Sequence, residues 1–219
     1  MSSAITATSF IPIERTLPVL REAVQGCRGC ELYRNATQAV FGEIEAGGRT
    51  PKTVAMMMIG EQPGDREDIE GHPFVGPAGK LLDRCLQDAG IDRTQVYLTN
   101  AVKHFKWQPR GKRRLHDKPT MQEVTACRPW LDAEIEAVHP RLLVCLGATA
   151  AQALLGPTFR VTQQRGVLFH REGLPALVAT VHPTSILRAR TDEDRHRDMS
   201  QFVADLKRIA HYVEDLKAA

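Results

Sequence analysis

The stretch VAMMMIGEQPG, residues 54–64, decides the fold. Seven residues run without a charge and end on a glycine. A short apolar run without alternation, closed by a turn residue, predicts a strand buried on both faces, as in a parallel sheet. The following PAGKLLDRCLQDAG has helical spacing: Leu81, Leu82, Cys85 and Leu86 share one face and Gly90 stops the helix. VYLTN, RLLVCLG and PALVATVHP read as further strands, and GVLFH as an extra edge strand. TMQEVTACRPWLDAEIEAVH reads as a helix with Thr120 as N-cap and Glu123 closing a capping box. ATAAQALLG is a short helix. The C-terminal helix places Phe202, Leu206 and Ile209 on one face, followed by Val213 and Leu216. Strands alternating with helices predict an α/β fold: a three-layer α/β/α sandwich around a mostly parallel sheet of about four strands. Residues 1–15 read as a loose start, with LPVLREA a short helix after it, and residues 16–219 as one domain.

In such sheets, sites form beyond the C-terminal ends of the strands. GEQPG, TNAVKH and VHPTS all fall there. The chain of 219 residues carries a net charge of only +3, so any affinity for nucleic acid must come from local clustering. The cluster is residues 103–118, with seven Lys or Arg, one acid (Asp117), and Phe105 and Trp107 interleaved. No apolar run is long enough for a membrane span, and the N-terminus lacks a basic region followed by an apolar one. A cytoplasmic, monomeric protein is expected.

Five cysteines, an odd number, argue against a disulfide framework. Cys27 and Cys30 form a CxxC. Cys127 falls on a helix and Cys145 on the strand after it, so the two could meet. Four thiolates suit Zn²⁺ or an iron–sulfur cluster, while Cys127 and Cys145 could equally be core residues. Cys85 lies on an apolar helix face and reads as packing.

GEQPGDREDIEGHPFVGPAGKLLD, YLTNAVKHFKW, KRRLH, VCLGATAAQALLG and VATVHPTSILR, in this order, resemble the family 4 uracil-DNA glycosylases. More narrowly, Gln62 in GEQPG and the inserted KRRLH resemble the UdgX branch, whose loop usually reads KRRIH. The final motif is HPT where the family has HPS. The resemblance implies a [4Fe–4S] cluster on Cys27, Cys30, Cys127 and Cys145. It also implies a partner, uracil-containing DNA (single-stranded first, double-stranded as well), and free uracil as product.

Breaking an N-glycosidic bond requires a flipped nucleotide, and groups that stack on the base, read its edge and stabilise the leaving anion. The resemblance turns Phe74, otherwise an ordinary packing residue, into the stacking surface. Asn100 carries a donor and an acceptor for the uracil edge. Gly60 and Gln62 join it at the base, and glycine allows close approach by the main chain. His182 would donate to a uracil oxygen as charge builds. Glu61 would orient either a water or the loop histidine. Lys112, Arg113, Arg114 and Ser185 would hold DNA. His116 would capture C1′ of the sugar, giving a protein–DNA adduct without turnover. The competing readings are a family 4 enzyme that hydrolyses and turns over, and a non-catalytic, metal-containing DNA-binding module.

Overall fold

A computed structural model describes residues 6–44 and 54–218, with the side chains of 217 and 218 left out. The chain starts with a 3-10 turn at Ala7–Phe10 and then α1 (Leu17–Ala23). Residues 1–5, and most of the Gly-rich connection before residue 54, lie outside the described residues. Within the rest of the expected loose start, Ala7 is buried against the helix that carries Cys127, whereas Thr8, Ser9 and residues 13–15 are exposed.

Then follow β1 (Met56–Gly60), α2 (Asp65–Glu70), α3 (Pro77–Asp88), β2 (Val96–Asn100), β3 (Trp107–Arg110) and β4 (Arg113–His116). The second half comprises α4 (Met121–Val138), β5 (Leu142–Leu146), α5 (Ala148–Leu155), α6 (Val161–Gln164), β6 (Leu168–Phe169), β7 (Ala176–Thr180), α7 (Pro183–Leu187) and α8 (Asp192–Ala218).

The main sheet has five strands in the order β2-β1-β5-β7-β6. Four are parallel, and β6 pairs antiparallel with β7 at the edge, as GVLFH suggested. The pleat splits the apolar run of β1: Met56 and Met58 face α3 and α8, whereas Met57 and Ile59 face α4 and α5. Helices thus cover both faces, and the expected sandwich is found. On α8, Phe202, Leu206, Ile209 and Val213 are buried. Each contributes roughly 1.5–3 kcal/mol by leaving water. A third apolar cluster, around Leu20, Phe41 and Trp130, ties the N-terminal segment to α4. Among the described residues no helix is long and apolar enough to cross a membrane.

The chain steps from β1 to β2 on one side, and β5 later pairs on the other side of β1. This reversal leaves a crevice at the C-terminal ends of β1 and β5. Residues 103–118, expected as a loop, instead hold a two-stranded antiparallel hairpin, β3–β4, which stands apart from the main sheet.

Candidate active site

Three strand ends meet at a pocket of about 460 Å³, lined among others by Glu61, Phe74, Asn100, His116 and His182. A larger hollow of about 690 Å³ lies at the other edge of the sheet, between α4, α5 and the approach to β7. It carries none of the residues singled out above, and its Arg128 and Arg171 are spent on the carbonyls of Ala153 and Leu154.

The pocket closes around Gly60. A Cβ there would stand 2.3 Å from Asn100 Oδ1 and 2.8 Å from Phe74 Cζ. Gly60 therefore lets the Asn100 and Phe74 side chains approach each other. Phe74 has φ 59, a region that bulky residues avoid. The surroundings hold it there. Glu67 accepts from the amides of Gly64 (3.1 Å) and Gly76 (2.8 Å), and Gly79 packs so closely on the Phe74 carbonyl that no Cβ would fit. The Phe74 ring lies 6.1 Å from that of His182, at an interplanar angle of 28°.

His182 caps α7, and its Nδ1 accepts from the amide of Thr184 at 3.2 Å. That bond places the proton of the neutral ring on Nε2. Burial, then the neighbouring His116 and Arg188, push its pKa down to about 4. The ring stays neutral at pH 7 and offers one N–H donor. A depressed histidine protonates in the unfolded chain before it does so in the folded one, so its contribution to stability shrinks as pH falls from about 6.5 towards 4. Thermal melts at pH 7 and pH 4.5 are expected to give the lower midpoint at pH 4.5, and His182→Gln is expected to narrow the gap. Ser185 sits at the pocket mouth and donates to the carbonyl of His182 at 2.7 Å.

Glu61 stands across the crevice. Its Oε2 accepts from the Thr149 hydroxyl on α5, and Oε1 lies 3.4 Å from His116 Nε2. Glu61 thus stands within reach of the loop histidine. His116 ends β4, is partly exposed, and lies 6.2 Å from the Phe105 ring.

The hairpin that carries His116 is anchored twice. Gln62 lines the pocket, and its side-chain amide is bonded at the hairpin's root. It donates to the carbonyls of Lys106 (3.1 Å) and Asp117 (2.9 Å) and accepts from the amide of Lys106 (3.1 Å). Arg114 is likewise not free for phosphate. It bonds Asp65 at 2.6 Å and the fully buried Asp68 at 2.6 Å, and its guanidinium lies over Phe105 and Trp107. The seven cations therefore divide. Lys103 is in the core, Lys106 pairs with Glu123, and Arg114 is a clamp. Arg110, Lys112, Arg113 and Lys118 are exposed and form no ion pair among the described residues. Gly111, at φ 59, makes the tight turn that brings Arg110 opposite Arg113. Like charges placed opposite each other cost stability unless an anion joins them.

Arg114→Ala is expected to cost about 3–5 kcal/mol, because it leaves the Asp68 charge in the interior without its cation, with the Thr37 amide as a remaining donor. Adding Asp68→Asn should restore most of that loss in a denaturant melt.

A family model described as the uracil DNA glycosylase superfamily matches residues 48–207. The type-4 uracil-DNA glycosylase of Thermotoga maritima is 37% identical over 183 residues, which are 83% of this chain and 88% of that protein. This chain belongs to family 4 of the uracil-DNA glycosylase superfamily. The proteins of the same name from Sulfurisphaera tokodaii and Archaeoglobus fulgidus are 36% and 32% identical, over 78% and 84% of this chain and 76% and 89% of theirs.

The cysteines of this family 4 member do not group as expected. Cys27, Cys30 and Cys127 neighbour one another around the third apolar cluster, where the charge of Cys27 raises the pKa of Cys30 and both raise that of Cys127. Cys145 lies elsewhere, in the core between the sheet and α4–α5, with only Arg128 as a charged neighbour. Cys145 therefore does not join the other three, contrary to the grouping expected from the sequence. Among the described residues no three donors converge closely enough to hold a metal ion as they stand. The donor chemistry nonetheless fits a thiophilic group. Burial pushes the Cys127 thiol up to about 12, so a thiolate there requires a bound cation.

Sequence reading passed over His104. It is buried, follows the residue whose amide donates to Cys127 Sγ at 3.3 Å, and has no side-chain hydrogen bond among the described residues. Burial and then Arg28, which lies between Cys27 and Cys30, push its pKa down to about 4. A neutral, unpartnered imidazole at that wall is a metal-ligand type. The available signal was its setting, AVKHF, in which apolar residues flank the Lys-His pair. Cys85 is core packing, as read.

Proposed function

We propose that this family 4 member excises uracil from DNA and then captures the abasic sugar on His116, as the UdgX branch resemblance implies. The observation that supports it is the placement of His116. An anchored hairpin holds it at the mouth of a pocket walled by Phe74, Asn100 and His182, 3.4 Å from Glu61.

In this reading Phe74 stacks on the flipped base and the Asn100 carboxamide pairs with its edge. The C1′–N1 bond breaks with its electron pair leaving on uracil, and the Nε2–H of His182 donates to the developing anion. The lone pair of a His116 ring nitrogen forms a new bond to C1′. The proton on the other ring nitrogen leaves, with Glu61 the nearest acceptor. The neutral imidazolyl adduct is a poor leaving group, so the product persists and the protein does not turn over. Cys27, Cys30, Cys127 and His104 would hold the cluster, which pins the N-terminal segment to α4.

The test is incubation with a uracil-containing single-stranded oligonucleotide, followed by a denaturing gel and a mass spectrum. The expected product is a heat-stable adduct with the mass of protein plus abasic strand. Free abasic DNA with multiple turnovers would support the conventional hydrolytic reading, which the names of the relatives fit equally. Binding without uracil release would leave only the DNA-binding module. Lys112→Ala and Arg113→Ala are each expected to reduce the slope of log affinity against log salt by about 0.7 on single strands.

A further inference from the structure

We infer that Lys103, acting with Glu134, is a positioning residue that fixes Asn100 against the base. The inference rests on the reading of Asn100 as the group that matches the uracil edge. Lys103 belongs to the basic segment by sequence, yet its side chain is wholly buried. Its ammonium has three protons and three acceptors: Thr99 Oγ1 at 2.7 Å, the Asn100 carbonyl at 2.7 Å, and the Glu134 carboxylate. Glu134, also wholly buried, accepts further from Thr99 Oγ1 (3.0 Å), Tyr97 Oη (3.1 Å) and the amide of Gly42 (2.8 Å).

A buried ion pair of this kind adds little that two well-packed apolar residues would not supply, because desolvation offsets most of the attraction. An apolar pair cannot, however, hold a carbonyl. The held carbonyl is that of Asn100, the last residue of β2. The next amides are all committed too. Ala101 donates to the Gly60 carbonyl (2.9 Å), Val102 to that of Glu61 (3.0 Å), and Lys103 to Cys127 Sγ (3.3 Å). Asn100 Oδ1 already occupies the space a Gly60 Cβ would need, so its side chain has no slack on that side. A tilt of the 100–101 peptide is thus passed directly to the carboxamide that faces the base.

The experiment compares four proteins: the wild type, Asn100→Ala, Lys103→Met/Glu134→Gln, and the triple variant. Single-turnover uracil release at saturating DNA is measured, together with the half-saturating DNA concentration, the visible absorbance of the cluster and the melting temperature. The pair variant is expected to lose roughly 100-fold in rate, the scale of an ångström of misplacement. Its half-saturating concentration and absorbance should remain those of the wild type. On the Asn100→Ala background the same pair should cost less than about 3-fold, because the two act through one contact. Equal losses on both backgrounds, or an undiminished rate in the pair variant, would overturn the inference. Should the pair variant not be recovered folded, Thr99→Val takes its place. It is expected to lose about 10-fold in the same non-additive pattern, and full activity in it counts against Lys103. A wild type that releases no uracil defeats the functional reading itself, whereas wild-type release beside an unaffected pair variant defeats Lys103 alone.

Discussion

His116→Gly is expected to yield free uracil and no heat-stable adduct. Nothing that holds the hairpin depends on the imidazole. Gln62 binds its root, Lys106 reaches Glu123, and Arg114 grips Asp65 and Asp68. The variant should therefore melt close to the wild type. With the ring gone, the Glu61 carboxylate faces open space next to the sugar, and Thr149 still orients it. Water bound there meets the cation that the histidine would have met. The gel band should fall to background, uracil release should stay within about 10-fold of the wild-type single-turnover rate, a barrier change of about 1.4 kcal/mol, and turnover should begin. Both products are read from one reaction, by gel and by chromatography. An adduct of undiminished yield in His116→Gly would place the nucleophile on another side chain.

The second large effect concerns iron. Cys127→Ala and His104→Ala are expected to lose the visible absorbance and most of the bound iron, whereas Cys145→Ala keeps both. Cys127 borders Cys27 and Cys30 in the cluster of side chains that joins the first turns of the chain to α4. Without the metal, that junction would contain three thiols, two of them buried, in place of bonds to iron, and the N-terminal segment should become sensitive to protease. Cys145 is a strand residue packed on apolar neighbours, and its loss leaves a small cavity costing on the order of 1 kcal/mol. Iron analysis on the purified variants decides. Iron lost in Cys145→Ala and kept in His104→Ala would restore the assignment made from the sequence.

The two outcomes of sequence reading have physical causes. The long helices were legible because burial of one face imposes a period on them, the strands because burial on both faces leaves a short apolar run, and the strand ends that line the pocket followed from the parallel order. Cys145 was misplaced because every residue of β5 is buried, so the run gives no sign of which face a side chain takes. The hairpin was not legible because it has no apolar face. Its two strands are held by Arg114 stacked over Phe105 and Trp107 and by Gln62, which lies 44 and 55 residues before the positions it bonds, and neither contact leaves a local pattern. Arg114 in turn stood among three consecutive cations, and only the spacing of Asp65 and Asp68 on one helix face distinguished it. Lys103 was read with the basic segment for the same reason.

The double anchoring of the hairpin also bears on timing. A nucleophile carried on an unattached loop must wait for closure, and water has that interval to compete. Here the polar groups at the hairpin's root and midpoint are already bonded before any DNA arrives, and the unpaired cations are concentrated towards its turn. Under the proposed capture, the fate of the sugar cation is then a contest of distance rather than of motion, and solvent viscosity should leave the ratio of trapped to hydrolysed product unchanged.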